Sequence, residues 1–383
     1  MLNVFVPKES RPGERRVAAS PDSVKRMVKA GLAVHLESGA GDAAGLLDEA
    51  FVKVGARIAA DPGEMWRSAD VVLKVGPLGA NHALGINEIE ALKPGAVLIG
   101  FLDPFNLAVV RRYTERRTTT LSMELIPRIT RAQEMDALSS QASIAGYRAV
   151  LLAATRVGKY FPLMTTAAGT IPPARVVVLG AGVAGLQAIA TAKRLGSVVE
   201  VSDVRPAVKE QVESLGGRFI DLTISESGEG AGGYAKELSA DALAQQREIL
   251  TRHLAQADVV ITTAQVPGKS APILITKAML EAMKPGAVLV DLAAERGGNC
   301  EVTRADEEVV HRGVLVLGPT NLAAGMATDA SILFARNVVT LLLHFVKEGE
   351  LRIDVADEIL REALLTHQGQ VVNPAVLARV QAG

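Results

Sequence analysis

Residues 175–203 read RVVVLGAGVAGLQAIATAKRLGSVVEVSD. Branched apolar residues from Val176 to Leu179 predict a buried strand. Gly180, Gly182 and Gly185 predict a tight turn into a helix that Val183 opens and whose apolar face is Leu186, Ile189, Ala190 and Leu195. Gly196 ends the helix, Val198 to Val201 forms a second strand, and Asp203 follows about 20 residues after the first glycine. Each part has a chemical reason. Gly180 permits the turn, Gly182 lets a pyrophosphate approach the backbone, and Gly185 lets helix and strand pack closely. Backbone N–H groups at the helix start favour phosphate, while a carboxylate at Asp203 accepts hydrogen bonds from ribose hydroxyls and repels a 2′-phosphate. This pattern predicts dinucleotide binding with a preference for NAD over NADP, which the nearby Arg205 blurs.

The rest of the composition suits a large α/β protein. The chain has 383 residues, 49% of them hydrophobic and 22% charged, enough for two domains with substantial cores. A formal net charge of −1 with both signs scattered offers no footprint for nucleic acid or an anionic membrane. The single cysteine, Cys300, excludes an internal disulfide and argues against a metal cluster. Met1 to Val6 is cut short by Pro7-Lys8-Glu9, so no signal peptide is expected, and the apolar run Val338 to Val346 reads as too short to span a bilayer.

Along the chain, strands are expected at 2–6, 33–36, 70–75, 96–99 and 119–121, with helices opening at Ser20-Pro21 and near 47–54, 62–66, 86–92 and 107–116. A long helix over 136–160 is expected to lead out of this first α/β unit, and 161–173 to be a loop. A helix over 206–215 follows Asp203. Strands at 218–222, 259–262, 288–291 and 314–317 are expected to complete a six-stranded parallel sheet with the two already placed. A second long helix, 324–347, would return the chain to its first domain. The expected organisation is therefore two Rossmann-like, doubly wound parallel-sheet domains linked by two long helices: 1–135 plus 323–383, and 136–322.

Several polar residues stand where parallel strands end: Arg16, Lys74, Asp103, Asp291 and Glu295, with the polar loop Arg128 to Ser139. For Asp291 a plain strand-end cap is an equally good reading. No Ser/His/Asp set, HExxH or P-loop is present, and the six histidines are scattered.

Longer blocks carry more information than the glycines. RPGERRVAASPDSVKRMVKAG, MELIPRITRAQEMDALSSQASIAGYRAV, MTTAAGTIPPARVVVLGAGVAGLQAIATAKRLG, GGYAKE, ITTAQVPGKSAPILIT and NLAAGMATDASILFARN resemble the NAD(H)-binding α subunit of proton-translocating nicotinamide nucleotide transhydrogenase, over nearly the whole chain. That family is itself similar to alanine dehydrogenase. The resemblance implies that Arg128, Ile129, Gln133, Asp136 and Ser139 surround the nicotinamide, with Gln133, Arg128, Asp136 and Ser139 as the groups nearest the chemistry. It implies that Asp203, Val204 and Arg205 contact the adenosine side, that Gly233 and Tyr234 tip a mobile loop that closes on nucleotide, and that Gln246 and Gln265 are further contacts. Arg16 and Lys74 align with the cations by which alanine dehydrogenases grip a substrate carboxylate. Asp103, however, stands where those enzymes need a histidine, and Glu295 where they have an aspartate. Amino-acid oxidation moves a proton as well as a hydride, whereas hydride passage between two nicotinamides does not, so the missing histidine fits transhydrogenation. The family implies NAD(H) on this chain and NADP(H) on a partner, a homodimer, separate membrane-spanning subunits, and a peripheral place on the inner, cytoplasmic face of the cell membrane without direct insertion.

Overall fold

The computed structural model describes residues 1–222, 240–266 and 268–382. The chain begins with strand β1 (Asn3–Val6), helix α1 (Pro21–Lys29), β2 (Ala33–Leu36), β3 (Arg57–Ile58), β4 (Val71–Leu73), β5 (Val97–Gly100), β6 (Thr119–Ser122) and the long helix α2 (Ala137–Arg156). β7 (Arg175–Leu179), α3 (Val183–Arg194), β8 (Val198–Ser202), β9 (Arg218–Phe219), α4 (Ala240–Leu254), β10 (Val259–Thr262), β11 (Val288–Asp291), β12 (Glu308–His311) and β13 (Val314–Leu317) follow. The tail holds α5 (Ala327–Phe345), β14 (Leu364–His367) and β15 (Gln370–Val371). These elements form two compact units, Met1–Gln141 with Ala323–Gly383, and Ala142–Leu322. Both are Rossmann-like.

The first unit is built on an eight-stranded sheet ordered β15-β14-β6-β5-β4-β1-β2-β3. β1 to β6 are parallel, and their apolar residues are buried on both faces because helices cover both sides. The tail adds β14 antiparallel to β6, and β15 antiparallel to β14, neither of which the apolar pattern announces. α5 fills the centre of this unit: Phe334, Val338, Leu341, Leu342 and Phe345 join Val4, Val6, Met27, Leu73 and Ile99 in one core. The longer stretch Ala323–Phe345, which contains most of the run Val338 to Val346, is long and apolar enough to cross a bilayer by length and composition. Over half of it is buried within the protein, as suits a core helix.

The second unit carries a seven-stranded sheet ordered β9-β8-β7-β10-β11-β13-β12. The expected six parallel strands are present, but a seventh, β12, runs antiparallel on the edge beside β13. β7 lies between β8 and β10, so the strand order reverses beside it, and the carboxyl end of β7 is the topological switch point where such sheets bind ligands. Val176, Val178, Ala188, Ile189, Ala192 and Val201 pack α3 onto the sheet. Burying each such valine or isoleucine contributes about 1.5–3 kcal/mol. Three further expectations are corrected in detail. The long helix ends at Arg156 rather than Tyr160. The expected loop 161–173 contains a short antiparallel ribbon, Met164–Thr166 against Gly169–Ile171. The helix after Asp203 divides into a 3-10 turn, Pro206–Val208, and a helix, Lys209–Ser214.

Candidate functional site

At the end of β7, the three glycines are required for three different physical reasons. Gly180 takes φ +101°, a conformation that L side chains rarely adopt, and a Cβ there would sit 2.5 Å from Thr263 Oγ1. Gly185 faces the turn it follows: a Cβ would lie 1.9 Å from the Gly180 carbonyl oxygen, so α3 can pack this closely only without a side chain. Gly182 has neither reason. Its backbone is extended (φ −74°, ψ −170°), and nothing lies within 4 Å of a Cβ built on it. It caps α3 without a side-chain hydrogen bond, which leaves an open approach to the first turn that Val183 begins.

Asp203 stands just past β8, with its side chain 5% exposed. Oδ2 accepts from Ala181 N at 2.7 Å, which ties the acid to the glycine turn, and from Arg205 Nη2 at 2.8 Å. Oδ1 accepts from Arg205 N and Arg205 Nε, both at 2.9 Å. Burial pushes the Asp203 carboxyl up, but the Arg205 guanidinium and the backbone N–H groups of Ala181 and Arg205 outweigh it and hold the group below the usual carboxylate range. Val204 is the half-buried link between the pair. Gln246 lies on α4 and is buried, whereas Gln265 is exposed and donates through Nε2 to the Leu292 carbonyl at 2.7 Å. Gly233 and Tyr234, with the segment expected to act as a lid, lie outside the described residues.

In the first unit, residues Thr130–Met135 form a 3-10 turn whose buried Ala132 and Met135 face the core while Arg128, Gln133 and Glu134 are exposed. Asn337 on α5 fixes this turn by donating to the Glu134 carbonyl at 2.8 Å. Ile129 packs against the core and accepts from Ala132 N at 3.0 Å. Asp136 caps α2: its Oδ1 accepts from Ser139 N at 2.9 Å and its Oδ2 from Ser139 Oγ at 2.5 Å. The structure thus brings Arg128, Ile129, Gln133, Asp136 and Ser139 onto one turn and one helix start. Within it, Asp136 and Ser139 hold each other, and Gln133 faces outward.

Arg16 and Lys74 are buried and already paired. Arg16 Nε and Nη2 bind Glu14 at 2.8 and 2.7 Å, and Nη1 binds Gln141 Oε1 at 2.9 Å. Lys74 Nζ, fully buried, binds both oxygens of Glu88 at 3.0 and 3.1 Å and lies 3.5 Å from Glu9. Burial alone would pull the Lys74 ammonium down, but Glu9 and Glu88 outweigh it and hold it above its ordinary value. Asp103 adopts φ +50°, and its backbone N–H, like that of Leu102, donates to the half-buried Glu124. Glu295 is exposed on a 3-10 turn. Asp291 is the strand-end cap that the sequence left open. Its carboxylate, fully buried, accepts from Thr262 Oγ1, Ala293 N, Asn299 N, Cys300 N and Thr303 Oγ1, and so orders the loop after β11. Sequence reasoning missed Glu9, Glu14, Glu88 and Glu124. Acids next to turns read as surface residues, and only the fold turns them inward.

Residues 5–145 and 149–374 match the models for the N-terminal and C-terminal domains of the alanine dehydrogenase/PNT family. The chain belongs to that family, in its transhydrogenase α-subunit branch. It is 48% identical to an NAD(P) transhydrogenase α-subunit chain of Rhodospirillum rubrum over 381 residues, covering 98% of this chain and 99% of that one. The solved transhydrogenase structure from Sinorhizobium meliloti is 44% identical, covers 97% of this chain and 99% of its own, and superposes with a TM-score of 0.84. Alanine dehydrogenases are more distant: that of Bacillus subtilis is 27% identical, covering 97% of this chain and 93% of its own. A solved L-alanine dehydrogenase structure, 25% identical, covers 100% of this chain and 99% of its own and superposes with a TM-score of 0.78, so the fold alone does not separate the two branches. The residues around Arg16, Lys74 and Asp103 do bear on them.

Proposed function

We propose that this α-subunit-type chain binds NAD(H) and presents it for hydride exchange with NADP(H) held by a partner subunit, the exchange being coupled to proton movement in membrane-spanning subunits. The observation that carries the reading is the end of β7. Gly182 leaves an open helix start with no side-chain cap, suited to a pyrophosphate, with the Asp203 carboxylate tied to the same turn and suited to a ribose. NADH supplies the hydride at its C4. The protein contributes position: Gln133, with two amide donors, one acceptor and no titratable proton, orients the nicotinamide end without acid–base work. Arg128 and Ile129 flank it, while Asp136 and Ser139 hold the turn that carries it. Gln246, Gln265, Val204, Gly233 and Tyr234 are proposed as the remaining nucleotide contacts, by resemblance, with Arg205 beside them at the adenosine end.

The direction proposed is from NADH to NADP⁺. The chain acts as a homodimer held at the inner face of the membrane through its partners, itself uninserted. The alanine-dehydrogenase reading is second. It is disfavoured because Glu14 and Glu88 already occupy Arg16 and Lys74, and because Asp103 replaces the histidine. Calorimetric titration tests the nucleotide assignment: NADH should bind at least tenfold more tightly than NADPH, a difference of about 1.4 kcal/mol or more. Equal affinities would defeat it, and Asp203→Ala should narrow the gap.

A further inference from the structure

Arg205 does more than stand beside the acid. Its guanidinium sets one N–H on each Asp203 oxygen, Nε to Oδ1 at 2.9 Å and Nη2 to Oδ2 at 2.8 Å, while its own backbone N–H and that of Ala181 take the remaining acceptor positions. A carboxylate offers about four such positions, and here all four are filled by the protein. The two filled by the guanidinium are those that a vicinal diol would use, because a ribose presents two hydroxyl donors side by side just as arginine presents its planar fork. The Arg205 side chain is 21% exposed and so reaches solvent, whereas Ala181 N and Arg205 N belong to the backbone.

We infer that Arg205 is an internal stand-in for the adenosine ribose: its guanidinium occupies the Asp203 acceptor positions that the two ribose hydroxyls would use, must be displaced for the ribose to bind, and so sets both the affinity for NADH and the margin over NADPH. This rests on the reading of the second unit as a nicotinamide-dinucleotide site. Displacement weakens binding, since only the open fraction of Asp203 is competent. The displaced guanidinium remains a cation near the 2′ position, where it softens the repulsion that Asp203 directs at a 2′-phosphate. Arg205 is therefore a specificity-determining residue acting against Asp203 rather than with it.

The test is NADH and NADPH titration of the full chain and its variants. In Arg205→Ala, NADH should bind roughly five- to tenfold more tightly, as expected if the competent fraction rises from about a tenth or a fifth toward unity, and the NADH-to-NADPH ratio should widen. In Arg205→Lys, which keeps the charge but loses the fork, NADH binding should tighten with the ratio unchanged. In an Asp203→Asn background, removing Arg205 should bring no such gain. NADH binding that is unchanged or weaker in Arg205→Ala, or an equal gain in the Asp203→Asn background, would overturn the stand-in while the parent's NADH binding keeps the nucleotide reading intact. Absence of NADH binding by the parent and every variant would overturn both.

Discussion

Glu14 and Arg16 are joined by two parallel hydrogen bonds, Nε to Oε1 at 2.8 Å and Nη2 to Oε2 at 2.7 Å, in a pair whose side chains are 3% and 9% exposed. Such a fork is the geometry by which an arginine would grip a substrate carboxylate. A small 2-oxo or amino acid would have to displace a buried internal partner here and another at Lys74. Purified chain with L-alanine and NAD⁺ should therefore yield no NADH above background. Sustained turnover would promote the dehydrogenase reading over the transhydrogenase one.

The three glycines of the turn should separate by experiment. Gly185→Ala forces a Cβ against the Gly180 carbonyl, a backbone contact that cannot yield cheaply, and should cost about 1–3 kcal/mol or more of stability. Gly182→Ala meets nothing within 4 Å and should melt like the parent, within about 0.5 kcal/mol. It should still lose at least about tenfold in NADH affinity, because the methyl enters the space proposed for the pyrophosphate. Normal NADH binding by Gly182→Ala would remove the glycine turn from the site.

Asp258 offers a pH test of the second unit's stability. It accepts from Arg175 N at 2.8 Å, Lys159 Nζ at 3.1 Å and Lys284 Nζ at 3.2 Å. Burial raises its pKa, but these donors outweigh burial and hold the group below the usual carboxylate value. Because the folded value is depressed, the stabilisation is fully present above the unfolded aspartate pKa of about 3.9 and is lost as pH falls through the folded value. Asp258→Asn should lower Tm at pH 7 by roughly 2–4 °C, corresponding to about 1 kcal/mol. The gap to the parent should close as the pH is taken below about 4. A gap independent of pH would show that Asp258 contributes by packing alone.

Much of this architecture is legible in the sequence because parallel strands buried on both faces read as continuous apolar runs, as in Val176 to Leu179 and Val288 to Val290. Three hairpins that the apolar pattern does not announce share one signature. The hairpins joining β12 to β13 and β14 to β15, and a third joining Val346–Lys347 to Glu350–Leu351, turn through Arg312-Gly313, Gln368-Gly369 and Glu348-Gly349. The first residue of each pair holds a positive φ between 50° and 54° without being glycine. These two-residue turns need positive φ at both positions, for which Asn-Gly is the strong signal. Arg, Gln and Glu carry no such signal. The site was only partly legible. The three glycines and Asp203 declare themselves by spacing, whereas the grip of Arg205 on Asp203 and of Glu88 on Lys74 depends on side-chain rotamers and on strands brought together by the fold.

Gln133 is the residue on which the chemistry is expected to turn. Two nicotinamides must approach with reacting carbons about 3–3.5 Å apart, and small misplacements can cost on the order of 10²-fold in rate. Gln133→Asn shortens the side chain by one methylene and keeps its amide. This variant should bind NADH nearly as well as the parent but lose most of the single-turnover rate when recombined with the NADP(H)-binding partner. A loss of affinity matching the loss of rate would reduce Gln133 to a binding contact.

On the proposed function, hydride leaves NADH on this chain and arrives on a nucleotide that the chain does not hold. Transfer of isotope tests it most directly: NADH deuterated at C4 on the transferred face, bound to this chain, is mixed with NADP⁺ and the purified NADP(H)-binding partner, and the NADPH formed is examined for label. Deuterium should appear at C4 of NADPH only when chain and partner are both present. NADH that binds yet passes no label to NADP⁺ with the partner present, or label that passes with the partner absent, would contradict it.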